Sequence, residues 1–274
     1  MKGLDDQSDD SEQQIDEFKT DNISTSSNMS TFYKDNDGSW IQLISDIDNI
    51  MQLIINSPSN KQFSCCYFGP STQTHIDLLQ IKLTEMLASS NVNYNMSVIG
   101  LDTEGNSLQL LQLSSQHSAI LVHIKSGLMN SKPLETFLSN HNKHKVIFTG
   151  ADIVSDALFL PITGLLDLTP IFSVAHPKSS SNTVDDTKVL GSFTDSISPI
   201  SLKTMYKKVF NETWVKDKAV TCSDWSVGQL TLQQLKYAAL DAWVSCILGE
   251  YAIEKYAVYG LFQYIFSTEA ISRR

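Results

Sequence analysis

Apolar residues fall into short runs along the chain rather than long stripes. The first run, Trp40-Ile41-Gln42-Leu43-Ile44, reads as a short strand. Asp46 is placed to cap a helix carrying Ile47, Ile50, Met51, Leu53 and Ile54 at helical spacing, stopped by Ser57-Pro58-Ser59-Asn60. Residues 63–68 predict another strand, and residues 75–89 an amphipathic helix. The clearest layout is central. Residues 98–102, 108–113 and 119–124 are three apolar runs, the last two parted by Ser114-Ser115-Gln116-His117-Ser118, which predicts three strands in a meander. A helix over 133–138, a strand over 145–148, a helix over 152–160, a strand over 165–168 and a helix from Pro170 follow. Strands first, then strands alternating with helices, predict a mixed-sheet α/β domain.

Towards the C-terminus, residues 177–200 are rich in Ser, Asp and Thr and read as a flexible insertion. Helices resume over 201–210. A long helix starts at Thr231, which with Gln234 three residues on makes a capping box; Leu235, Ala238, Ala239, Ala242 and Trp243 continue it. At the other end, residues 1–38 hold few large apolar side chains and predict a disordered acidic tail. The expected organisation is therefore this tail, a strand and helix extension over 39–95 packed on the core, a core domain over 96–260 and a terminal segment over 261–274.

Charge and composition narrow the choices. Of a net charge of −10, −7 lies in residues 1–37, so the body is nearly neutral. Bulk electrostatics thus leans against nucleic acid as a partner, although bound divalent cations reverse the local sign. No run approaches the roughly 20 apolar residues of a membrane helix, and the N-terminus MKGLDDQSDDSEQQ lacks the apolar core of a secretory signal. Cys65, Cys66, Cys222 and Cys246 form no CxxC pair, which predicts reduced thiols and an intracellular protein, nuclear or cytoplasmic.

Three elements could carry chemistry. Asp102 and Glu104 lie two apart at the end of a buried strand, so both carboxylates project from one face. Two such acids repel unless something positive lies between them, and hard divalent cations meet that need. Taken alone, a D-x-E at a strand end is more often an ordinary solvent-facing pair. Tyr237 and Asp241 sit four apart on one helix face, with small Ala238 and Ala239 between them allowing close approach to a sheet. Asp156 falls on the shoulder of the 152–160 helix, with Asp152 in the capping position.

Together these residues, ordered D-x-E, D, Y-x-x-x-D in a strand-first α/β context, resemble the DEDDy 3′–5′ exonucleases of the RNase D and Werner-syndrome exonuclease branch, including Egalitarian-like members. Val98-Ile99-Gly100-Leu101-Asp102-Thr103-Glu104-Gly105 resembles the family's first motif, with Leu110-Leu111-Gln112-Leu113 as the strand after it. Gly150, Ile153 and Asp156 are similar to the second motif. Ser223-Asp224-Trp225, then Leu230, Thr231, Gln234, Tyr237 and Asp241, are similar to the third, which is the most specific. The resemblance covers roughly residues 96–255.

It implies an RNase H-like fold, a mixed five-stranded sheet flanked by helices. It implies hydrolysis of terminal phosphodiester bonds, with Asp102, Glu104, Asp156 and Asp241 holding two Mg²⁺ or Mn²⁺ ions and Tyr237 orienting the attacking water. The expected substrates are 3′ ends of single-stranded or frayed DNA or RNA, giving nucleoside monophosphates. No GxxxxGK[ST] loop is present, so any unwinding or targeting falls to a protein partner. Lys216 and Lys218 are candidate phosphate contacts, and Trp225 a candidate for base stacking or for the core. The chain departs from the pattern in the short segment after Glu104, in Gly105 where many members carry an aromatic residue, and in Asp152. The alternative on the same fold is a non-catalytic nucleic-acid-binding adaptor, which would require a broken metal site.

Overall fold

A computed structural model describes residues 32–90, 92–93, 96–105, 107–139, 145–174, 200–214 and 217–256. The meander expected at the centre is β6 (Met96–Glu104), β7 (Leu110–Ser114) and β8 (Ser118–His123), paired antiparallel in sequence order. On the other side of β6 lie β9 (Lys145–Gly150) and β10 (Leu165–Asp167), both parallel. These five strands form the sheet that the sequence predicts.

The sheet does not stop there. Preceding the meander are β1 (Phe32–Lys34), β2 (Trp40–Ile47), β3 (Ile50–Asn56) and β4 (Gln62–Phe68), with β5 (Val92–Asn93) beside β6. The strand order is β1-β2-β3-β4-β8-β7-β6-β9-β10, because β4 pairs parallel with β8. The strands of the N-terminal extension therefore continue the core sheet edge to edge, while its helix over 76–89 packs on the sheet through Leu79, Leu83 and Met86, and the five-stranded expectation is corrected accordingly. It also begins earlier than expected, since β1 falls within the 1–38 segment read as tail. The rest of that tail, residues 1–31, the 177–199 stretch of the insertion and the 261–274 segment lie outside the described residues.

The helix predicted after Asp46 is a β-hairpin. Asp48 and Asn49 both take left-handed backbone (φ 52° and 63°), forming the two-residue turn between Ile47 and Ile50. Asp and Asn tolerate that conformation better than other side chains, and two such residues match the twist of paired strands. Met51, Leu53 and Ile55 then face one core while Ile50 faces the other. A strand apolar on both faces imitates helical spacing, which misled the periodicity.

Helices cover both faces. On one side lie α1 (Ile76–Ser89), α2 (Lys132–Leu138) and the short α3 (Ile153–Ala157). On the other lie α4 (Leu168–Val174), α5 (Leu202–Phe210), α6 (Lys218–Thr221) and the long α7 (Leu232–Tyr256). The capping box at the start of α7 is formed: Thr231 N–H donates to Gln234 Oε1 at 2.9 Å, and Gln234 N–H to Thr231 Oγ1 at 3.2 Å.

α7 lies directly on β6. A Cβ at Gly100 would collide with the Ala242 carbonyl oxygen and stand 2.5 Å from Cys246 N. Thr149 Oγ1 on β9 donates to Ser245 O at 2.7 Å, and Trp243 Nε1 donates to Gln116 O at 3.1 Å. Gly100→Ala should accordingly push α7 off the sheet and lower stability by about 3 kcal/mol, at the upper end for overpacking. Chemical denaturation of the variant beside wild type checks this, and an unchanged midpoint would contradict the close approach.

Candidate active site

Alternation along β6 decides which side chains meet α7. Gly100 lies under Ala242, so Asp102 and Glu104, two and four residues on, share that face. Asp241, next to Ala242 on α7, comes down on the same spot and is 2% exposed. One carboxylate oxygen from each of Asp102, Glu104 and Asp241 lies within 4.8 Å of the others. Three carboxylates this close repel strongly when ionised. An all-oxygen donor set of this charge suits a hard divalent cation such as Mg²⁺ or Mn²⁺.

Thr103, between the two acids, points to the opposite face of β6, and there it meets Asp156. Its hydroxyl donates to Asp156 Oδ1 at 2.5 Å, while its backbone N–H donates to Asp102 Oδ1 at 3.0 Å. Asp156 thus lies outside the close group of three and is linked to it through Thr103. Burial raises its carboxyl from the usual range to about 6; the Thr103 hydrogen bond acts against this, and the charges of Asp152 and Asp167 add to it.

Asp152 is not the expected helix cap. Its backbone is left-handed (φ 58°) and its side chain makes no capping bond. Its N–H instead donates to Asp167 Oδ1 at 3.2 Å and Thr169 Oγ1 at 3.1 Å, tying the start of α3 to the end of β10.

Tyr237 stands one helical turn before Asp241 and is 8% exposed. Burial pushes its phenol well above the ordinary value. The charges of Asp241 and Glu104 raise it further, a hydrogen bond from Thr221 on α6 opposes them, and a hydrogen bond to Asp241 adds to the rise. The ring packs against Trp225, with centroids 6.0 Å apart.

Trp225 is itself 4% exposed, so in this structure its ring backs Tyr237 within the core. The Ser223-Asp224-Trp225 signature is anchored by α7: Gln234 Nε2 donates to Ser223 Oγ at 2.9 Å and to Asp224 O at 3.2 Å. Lys218 is exposed at the start of α6, and Lys216 lies outside the described residues. Sequence reasoning passed over Thr103 and Thr221. Alternation sends Thr103 away from the D-x-E face, and only the three-dimensional path of α6 brings Thr221 to Tyr237.

Comparisons with known proteins bear on the family and the fold. Residues 81–251 match a family model described as 3′–5′ exonuclease. No curated protein sequence matches the chain. Among solved structures, the fold is similar to the catalytic core of RRP6 from Trypanosoma brucei (C496S mutant), with TM-score 0.51, 14% identity, and coverage of 70% of this chain and 49% of that one. It is also similar to Escherichia coli RNase D, an exoribonuclease involved in structured RNA processing, with TM-score 0.51, 17% identity, and coverage of 76% and 49%. The chain thus spans about half the length of these two structures. Among the described residues no helix is long and apolar enough to cross a membrane. With its RNase H-like sheet extended by four N-terminal strands and Asp102, Glu104 and Asp241 gathered where α7 meets β6, the chain belongs to the 3′–5′ exonuclease family.

Proposed function

We propose that this protein is a metal-dependent 3′–5′ exonuclease that removes nucleoside monophosphates from the 3′ ends of single-stranded or frayed nucleic acid. The observation that carries this reading is the meeting of Asp102, Glu104 and Asp241 within 4.8 Å. These three, with Asp156 as the fourth acid, would hold two Mg²⁺ or Mn²⁺ ions. When bound, the ions supply a water activated at neutral pH and neutralise the charge that develops on the leaving 3′ oxygen.

The chain's own residues do the rest. Tyr237, held neutral by burial and by the neighbouring acids, is a hydrogen-bond donor and not a general base, so its task is to orient the attacking water. Thr103 holds Asp102 with its N–H and Asp156 with its hydroxyl, setting both acids from one residue. Trp225 supports the Tyr237 ring from behind. Lys218, exposed on the helix that also carries Thr221, and Lys216 are the candidate contacts to a substrate phosphate.

The deciding experiment incubates the protein with 5′-labelled single-stranded DNA and RNA of one sequence in Mg²⁺, Mn²⁺ or EDTA, beside Asp102→Ala and Asp241→Ala. A ladder shortening from the 3′ end, absent in EDTA and in both variants, establishes the enzyme and its sugar preference. Intact substrate that shifts in a gel would replace the enzyme with an adaptor.

A pH dependence follows from Asp156. Its carboxyl titrates near 6, so protons compete with metal there at a pH where an ordinary carboxylate is ionised. Metal affinity should therefore decline as pH falls through about 6, rather than holding down to the usual carboxylate range. Titrating Mn²⁺ calorimetrically between pH 5 and pH 8 measures it, and an affinity flat down to pH 5 would contradict the role given to Asp156.

A further inference from the structure

The strand β7 carries a polar residue where its neighbours are apolar. Gln112 is 0% exposed, and among the described residues neither its Nε2 nor its Oε1 has a hydrogen-bond partner. Buried amides are nearly always paired, and an unpaired one lowers stability. Such a group in a native core calls for an explanation.

Its surroundings in the sheet supply one. Leu111 and Leu113 point into the core below the sheet, so Gln112, like Leu110, points to the α7 face. Directly across on the β8 side lies Leu121, which offers nothing to an amide. His123, on the diagonal, accepts from Lys125 N–H at 3.0 Å through Nδ1; its buried Nε2, also without a partner among the described residues, therefore carries the proton and offers no acceptor for the Gln112 N–H. Directly across on the β6 side lies Asp102, with Glu104 on that diagonal. Residues directly opposite in an antiparallel pair have Cβ atoms roughly 4.5–5.5 Å apart, within reach of a glutamine carboxamide.

We propose that Gln112 is a positioning residue for the metal site: its Nε2–H donates to the Asp102 carboxylate in the metal-loaded protein. With the Thr103 N–H already on Oδ1, two donors then fix which lone pairs Asp102 turns toward a cation. Groups that hydrogen-bond a ligating carboxylate orient it and typically account for about 10- to 100-fold in metal affinity. This rests on the metal reading given above and adds to it a residue that does not itself touch the ion.

The test compares wild type, Gln112→Met and Asp102→Asn by two measurements without nucleic acid: Mn²⁺ affinity by calorimetric titration, and the melting temperature in EDTA. Methionine keeps the length of the side chain and removes the amide. The expected result is an affinity at least about tenfold weaker in Gln112→Met, with an EDTA melting temperature equal to wild type or higher. A purely structural glutamine would do the reverse, lowering the melting temperature and leaving affinity in place.

An affinity within about threefold of wild type overturns the proposal, whatever the melting temperature. If Gln112→Met does not fold, Gln112→Leu is measured in its place, and failure of both to fold assigns the amide to the core and overturns the proposal as well. The parent reading fails separately, through a wild type that binds no Mn²⁺ or an Asp102→Asn variant that binds it undiminished. Either of those results removes both.

Discussion

Asp241→Asn is expected to lower exonuclease turnover by on the order of 10³-fold, a magnitude usual when a group that stabilises the transition state is removed. The same substitution should raise the stability of the metal-free protein. Asp241 is 2% exposed and shares its surroundings with Asp102 and Glu104, so its charge is both desolvated and repelled. Asparagine keeps the shape and removes the charge. Relief of about 1 kcal/mol corresponds to a rise of about 2–4 °C in a domain of this size. The two signs together separate function from folding: a residue kept for the fold loses activity because the protein loosens, whereas this one should lose activity while the protein tightens. Single-turnover kinetics and thermal melting in EDTA on the same preparation check both. A fall in melting temperature would show that the acids are satisfied without a cation.

The second large effect lies away from the chemistry. Lys236, the residue before Tyr237, is 4% exposed, and its ammonium is ion-paired with Asp35 in the segment between β1 and β2. Ser39 Oγ accepts from it at 3.0 Å, and the Tyr33 ring lies 5.4 Å from Nζ. Tyr33 OH in turn donates to Asp35 Oδ1 at 2.8 Å. Asp35→Asn would leave a buried ammonium without its counter-charge, and breaking such a pair costs about 3 kcal/mol or more.

Two controls follow from the same physics. Replacing both partners, as Asp35→Leu with Lys236→Met, should restore most of the loss, because an apolar pair needs no desolvation. The pH dependence has a fixed sign. Burial already lowers the Lys236 ammonium to about 8, against about 10.5 for a free lysine. Between those values the unfolded chain binds the extra proton, so stability from this group rises with pH. Without Asp35 the folded value falls further, and the rise should set in at lower pH. Denaturant midpoints from pH 7 to pH 10 for wild type and Asp35→Asn would show it, and parallel curves would contradict the ion pair.

What could be read from the sequence was local. The meander β6 to β8 and the capping box at Thr231 each lie within a few tens of residues and carry their own pattern. The D-x-E pair and the Tyr237 and Asp241 pair are each set by the period of one element, strand for the first and helix for the second. The misreadings share a cause as well. Strand β3 buries Met51, Leu53 and Ile55 on one face and Ile50 on the other, so its alternation is lost, and only the Asp48-Asn49 turn signals the reversal. Lys236 and Asp35 are 201 residues apart, and nothing in either neighbourhood announces the other. The offset of Asp156 from the other acids is set by the opposite facing of Thr103 on β6, which a list of acids in order does not convey.

The parallel junction of β4 with β8 has a consequence for biosynthesis. On the edge facing away from β3, Ser64 to Phe68 find their partners in Ser118 to Val122, so the hairpins of β1 to β4 leave the ribosome with that apolar edge open. Until the meander follows, that edge is a template for pairing with another nascent chain, and crowding of unfinished chains should favour aggregation there. α7 is made later still, and with it Asp241. The acids of the site therefore cannot assemble on the early hairpins alone, and the proposed metal site is complete only after every described strand of the sheet has been synthesised.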